Sequence, residues 1–374
     1  MDRLKNILII AVLLLLNAPW LSEILGFKEP HPLHGESVNP ASPVISLYRV
    51  WCGEFQSEVN DFSRLNFLLR SVAIRTRNEL DYSFFREHHA RSVVEGLDGY
   101  LFEENYILAA LGLDSIPKDS VGNRVSRLLQ LSQASKTPFL VVIAPGKGNF
   151  CREFVPREYL KREGQLANRM LNMWTDELVN QELPFLNLTD FFSLDQQVFP
   201  KHGIHWSEWA QVEAINQISN ALSELLPDGL RPARLLIDSV YRSTSMKGTD
   251  DDIEKGLNLW RNLPDVEAKY YLTHWEELPV VRRPRILIVG DSYAWGPVNK
   301  GLLRDGYRDS EFWFYNKGVH GPLIDDKGAS PETVHGFSNL SELEQVLLDF
   351  DAVVFLSTDA NLPTFPFYFG EFVH

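Results

Sequence analysis

Hydrophobic positions in this chain fall into two patterns. Phe139–Ala144, Pro184–Leu188, Ile286–Val289, Phe312–Tyr315 and Ala352–Leu356 are short runs with few polar residues. A strand apolar on both faces is one buried on both faces, as in a parallel sheet covered by helices. Between these runs, hydrophobic residues return every three or four positions. Val121, Val125, Leu128, Leu129 and Ser132 form one such series, and Leu166, Met170, Trp174 and Leu178 a second. Val212, Ile215, Leu222 and Leu225 form a third, with Ser207 as its N-cap and Glu208 in its first turn. Leu340–Asp349 is expected to be a further helix, as is much of Glu54–Arg86. Val93–Phe102, two extended runs about Leu97-Asp98-Gly99, carries a hairpin signal. Helix and strand alternating in this way predict an α/β body built on an open parallel sheet flanked by helices.

The N-terminus follows another rule. Arg3 and Lys5 precede the run Ile7–Leu16, and apolar character resumes at Trp20, Leu21, Ile24, Leu25 and Phe27. A charged start followed by about ten apolar residues is the pattern of a secretory segment. With no small-x-small cleavage site after it, residues 1–29 are expected to be a signal-anchor that ties the chain to a membrane. The basic side would stay in the cytoplasm and the body would be exported. Residues 30–45, rich in Pro, His, Gly, Ser and Asn, read as a linker, and 46–374 as the folded domain.

Composition narrows the partners. A net charge of −14 argues against nucleic acid, since phosphate binding needs a basic face. Cys52 and Cys151 allow either one disulfide or two free thiols. No metal site and no cofactor are expected: there is no CxxC pair, and Pro145-Gly-Lys-Gly148 lacks the spacing of a phosphate-binding loop. The acidic run Thr249–Asp252 before Ile253 reads as a helix start with solvated charges rather than a calcium loop.

Two residues carry candidate chemistry. Ser292 follows the run Ile286–Val289 and Gly290-Asp291, at the carboxyl end of a buried strand, where open α/β sheets bind ligands. His205 stands just before the helix that Ser207 caps. A serine needs a neighbouring base to attack at neutral pH, and histidine is the side chain suited to that. Lys147, at another strand end, is a candidate to line the same site.

These residues lie in blocks that resemble a known family. Gly290-Asp291-Ser292 resembles the nucleophile block of SGNH hydrolases, and His205-Trp206-Ser207 the histidine block of the alginate O-acetyltransferase branch. Gly96–Phe102, Val141–Lys147 and Tyr315–Gly321 resemble further stretches of that branch, in the same order, over residues 90–360. The resemblance implies an SGNH-hydrolase-like fold and an O-acetyltransferase acting on an exported polysaccharide, with Ser292 as nucleophile and His205 as base. A membrane-bound O-acyltransferase would be the acetyl-donating partner. Two alternatives remain: an esterase that uses water, and a non-catalytic polysaccharide-binding component. Asp291, Tyr293, Asn316, Lys147, His202 and Trp206 are expected around substrate or oxyanion, Asn316 as an oxyanion donor. The family places its acid two residues before the histidine, where this chain has Gly203. Asp190 is the expected substitute and Asp195 the next.

Overall fold

The computed structural model describes residues 2–26, 31–35, 42–67, 69–114, 116–162, 167–192, 197–264, 267–315, 318–321 and 340–367. Among them are ten strands: β1 (Val93–Glu95), β2 (Leu101–Glu103), β3 (Phe139–Ala144), β4 (Phe185–Asn187), β5 (Leu235–Ser243), β6 (Ala268–Trp275), β7 (Ile286–Gly290), β8 (Glu311–Phe314), β9 (Gly318–His320) and β10 (Ala352–Thr358). Contacts divide the chain into two units, Ser92–Ile253 with Asp265–His374, and Met1–Arg91 with Glu254–Pro264.

The larger unit holds a six-stranded sheet in the order β4-β3-β10-β7-β8-β9. All its pairings are parallel except the last, β8 with β9. The three central strands are buried at every position, which is why they read as unbroken apolar runs. Burial of each such Val, Leu or Ile contributes about 1.5–3 kcal/mol, enough to outweigh any local preference for helix. One face packs on helices Lys118–Ser135, Arg169–Asn180 and Leu340–Leu347 through Val125, Leu128, Trp174, Leu178, Leu343 and Leu347. The predicted hairpin forms as β1 and β2, with Asp98 and Gly99 at φ 55° and 75° in its turn. The second hairpin, β5 with β6, has no counterpart in the predicted elements. β5 is largely exposed, and a bulge between Ile237 and Ser239 breaks the alternation.

In the smaller unit Glu54–Arg86 resolves into helices Glu54–Leu65 and Arg70–Phe85. The second holds the segment 254–264, with Arg75 donating to Leu259 O (2.9 Å), Asn78 to Leu257 O (2.9 Å), and Trp260 to Thr76 (3.1 Å). Asp2–Ile24 is helical, but the anchor expectation gains no support. No helix among the described residues is long and apolar enough to cross a membrane. Asn17, Pro19, Ser22 and Glu23 interrupt the apolar stretch before it reaches the ~20 residues of a span. Of the two open readings for the cysteines, free thiols hold: Cys52 is exposed and Cys151 buried.

Candidate active site

β7 delivers Ser292. The strand ends at Gly290, where an added Cβ would lie 3.2 Å from Leu356 O of β10, so the chain can turn sharply beside its neighbour. Asp291 then fixes the turn. Its carboxylate accepts from Tyr293 N (3.0 Å), Thr358 N (2.7 Å), Thr358 Oγ1 (3.0 Å) and Asn361 Nδ2 (2.8 Å). Burial pushes this carboxyl's pKa up, while the same hydrogen bonds oppose the shift. Expected near substrate, Asp291 is instead fully buried and braces the serine turn against β10.

His205 lies in the loop that ends at the cap of helix Glu208–Leu225, where Ser207 Oγ accepts from Ala210 N (3.3 Å) and donates to Gln197 O (2.6 Å). The imidazole Nε2 is 2.9 Å from Ser292 Oγ. Its Nδ1 is 2.5 Å from Asp252 Oδ2. An ionised Asp252 makes Nδ1 the protonated nitrogen and leaves the Nε2 lone pair to take the serine proton. The other carboxylate oxygen of Asp252 accepts from Ile204 N (2.9 Å) and Ile253 N (2.8 Å), which locks the acid to the histidine loop. Tyr293 ties the same loop to the serine turn, its hydroxyl donating to Ile204 O (2.6 Å) and its ring standing 5.1 Å from that of His205.

The expected acid, Asp190, is thereby corrected. It is exposed at the end of the turn Leu188–Asp190, and both nitrogens of His205 are already engaged elsewhere. Asp195 and Asn316 lie outside the described residues. Gly203 explains the replacement. A Cβ there would sit 2.3 Å from Thr249 O and 2.8 Å from the Asp250 carbonyl carbon. The backbone that leads to Asp252 occupies the space a side chain at 203 would need. From the sequence alone Thr249–Asp252 reads as solvated charge. The usable signal was an acid run between the histidine and serine blocks of a chain lacking its acid at 203.

Lys147 also needs correction. It does not line the site but is fully buried, with Nζ donating to Lys201 O (2.9 Å) and Gly203 O (2.7 Å) beneath the histidine loop. Its ammonium lies 5.6 Å and 5.4 Å from the Tyr100 and Phe102 ring centres. Burial lowers its pKa to about 7, against the pull of Cys151 and Asp252. His202 is buried and is not part of the pocket lining, whereas Trp206 and Tyr293 form pocket wall. The pocket in front of Ser292 and His205 has a volume of about 460 Å³, with Tyr270, Trp295 and Lys247 on its other sides.

A second buried acid, Asp359, supports the turn after β10. Its carboxylate fills the space over Gly146, where a Cβ would be blocked. Burial raises its pKa to about 7, opposed by the Gly146 and Ala360 amides. A raised carboxyl pKa gives stability that is complete below the unfolded value and is lost as pH rises through 7. Asp359→Asn is therefore expected to melt a few degrees above the parent at pH 8, the gap closing towards pH 4. Differential scanning fluorimetry across that range checks it; a variant less stable at pH 8 contradicts it.

Ser292, His205 and Asp252 form one hydrogen-bonded line at the carboxyl edge of an open, mostly parallel sheet, so fold and site together define an α/β protein with the geometry of a Ser–His–Asp triad. No protein-family model and no curated protein sequence matches the chain. Among solved structures it is similar to the O-acetyltransferase domain of Pseudomonas putida AlgJ, at 18% identity and a TM-score of 0.46, covering 73% of this chain and 92% of that one. It is also similar to Pseudomonas aeruginosa AlgX (14%, TM-score 0.45, 78% and 70% covered) and to Bacillus cereus PatB1 (12%, TM-score 0.45, 72% and 96% covered).

Proposed function

We propose that this protein is a serine-dependent O-acetyltransferase that esterifies hydroxyl groups of a polysaccharide. The observation that carries the reading is the line Ser292–His205–Asp252. Ser292 Oγ attacks the acetyl carbonyl as Nε2 of His205 takes its proton, and Asp252 stabilises the resulting imidazolium. In this proposal the Ser292 backbone amide, which donates to the Tyr315 hydroxyl in this structure, serves as a donor to the developing oxyanion. The tetrahedral adduct collapses, His205 protonates the departing donor, and acetyl remains on Ser292. A sugar hydroxyl, deprotonated by His205, then attacks that ester, and its oxygen leaves acetylated while Ser292 regains its proton. Trp295, half-buried on the pocket wall, offers a face on which a sugar ring can stack.

The blocks around His205 and Ser292 support acetyl transfer as the chemistry. In this proposal a membrane-bound O-acyltransferase supplies the acetyl group outside the cytoplasm, and the segment Ile7–Leu16 after Arg3 and Lys5 serves as the export signal. Asp252 supports the catalytic reading over the non-catalytic alternative, which rests on a missing acid. The esterase alternative uses the same triad with water as acceptor.

Purified protein incubated with p-nitrophenyl acetate is expected to gain one acetyl mass by intact mass spectrometry, and Ser292→Ala to gain none. Added oligosaccharide should then accelerate loss of the adduct and carry the acetyl group away. No adduct on the parent protein overturns the catalytic reading. An adduct lost only to water, whatever the sugar, selects the esterase.

A further inference from the structure

Asp252 is held by an unusual route. In this chain the acid comes 47 positions after the histidine it serves, from a loop that leaves β5 and returns to β6. Such a loop has to be pinned, because a carboxylate displaced by ~1 Å no longer orients the imidazole, and misplacements of that size cost about a hundredfold in rate. Besides the Ile204 N bond to Asp252 itself, two pins hold the loop. One is the packing of the Thr249–Asp250 backbone onto Gly203. The other is Tyr270 on β6, which is buried. Its hydroxyl donates to Asp250 Oδ2 at 2.7 Å and accepts from Lys247 N at 3.1 Å. Asp250 N donates to Lys247 O at 3.1 Å, and Asp252 N to Thr249 O at 3.3 Å, so the loop from 247 to 252 is one hydrogen-bonded unit. Lys247 crosses over the same side, its ammonium donating to Tyr241 OH at 2.6 Å and lying 5.3 Å from the Tyr270 ring centre.

We propose that Tyr270 is a positioning residue for the triad, a latch whose hydroxyl clamps both ends of the turn Lys247–Asp250 to β6 and so keeps Asp252 on Nδ1 of His205. This inference rests on the Ser–His–Asp reading of the site. The latch acts through the acid alone; its hydroxyl is spent on Asp250 and Lys247, so it touches no reacting atom. Asp250, whose pKa burial raises to about 6, is ionised at pH 8 and accepts the bond. The phenol, raised by burial and by Asp250, stays protonated and donates it. Removing the hydroxyl leaves a buried carboxylate without its donor, a loss that pushes the loop to rearrange rather than to stay in place.

The test is a double-mutant cycle on the full chain with p-nitrophenyl acetate as probe. Tyr270→Phe is expected to lower the rate of acetyl-enzyme formation about thirtyfold with KM changed less than about twofold, within the penalty range for a misplaced catalytic group. In an Asp252→Asn background the same change should cost less than about threefold, because there is no longer a carboxylate to position. An equal cost in both backgrounds overturns the latch. Asp250→Ala removes the partner from the other side and is expected to repeat the pattern, so the cycle stands even if Tyr270→Phe does not fold. A readout independent of turnover is the downfield Nδ1 proton resonance of His205 in nuclear magnetic resonance. It should be present in the parent and shifted or lost to exchange in folded Tyr270→Phe. A resonance unchanged in the variant overturns the inference, even if no acetyl adduct forms and the acetyltransferase reading alone has failed.

Discussion

Asp252→Asn is expected to lower the rate of acetyl-enzyme formation by about ten-thousand-fold, with little change in KM. The size follows from what the carboxylate does. It accepts the Nδ1 proton and offsets the charge that appears on His205 as Ser292 loses its own proton; in serine triads the Asn replacement favours the wrong tautomer and costs about that factor. Here the acid also accepts from Ile204 N and Ile253 N, bonds that an Asn side chain oriented to keep them would preserve. The variant should therefore stay folded, and its melting temperature should move far less than its rate. Asp190→Asn is the matched control, expected to leave the rate within about twofold because surface substitutions are usually near neutral. Stopped-flow release of p-nitrophenolate for the pair decides the assignment. A large loss in Asp190→Asn with none in Asp252→Asn would return the acid to the position expected from sequence.

Gly203→Asp restores the spacing seen in the family that the chain resembles, and it should disable the protein rather than improve it. The new Cβ would meet Thr249 O at 2.3 Å and the Asp250 carbonyl carbon at 2.8 Å, both backbone atoms. Backbone cannot swing aside as a side-chain tip can, so the loop carrying Asp252 must move bodily. Overpacking of this kind costs typically 1–3 kcal/mol, and here it falls on a loop whose position sets the rate. Gly203→Ala, which adds only the Cβ, should already reduce acetyl-enzyme formation by tenfold or more. Combining Gly203→Asp with Asp252→Asn should not rescue activity. Rescue, measured by the same assay, would mean that both placements of the acid fit this fold.

Much of the architecture was legible because the strands that form it are buried on both faces. β3, β7 and β10 have no polar face to disguise them, and their helices keep a clean stripe toward one core. The hairpin of β5 and β6 was not legible, since most of β5 is exposed and its bulge disrupts the period of two. Ser292 and His205 could be found because each stands at the end of a predicted element, where backbone geometry presents side chains. Asp252 could not, because one carboxylate in a run of three looks like solvated charge, and its use depends on which backbone rests on Gly203. Lys147 shows the reverse failure. Its motif was visible, but burial and two carbonyl partners make it a brace for the histidine loop.

The β5–β6 hairpin changes what counts as the minimal unit of this protein. Trimming β5, β6 and the turn between them would leave the six-stranded sheet, Ser292 and His205 in place, and a survey by fold would still record a complete domain. Its histidine would have no proton acceptor behind it. The part that looks like decoration in a topology diagram carries the carboxylate on which the proposed turnover depends, so its deletion would silence that reaction while Ser292 and His205 remain intact.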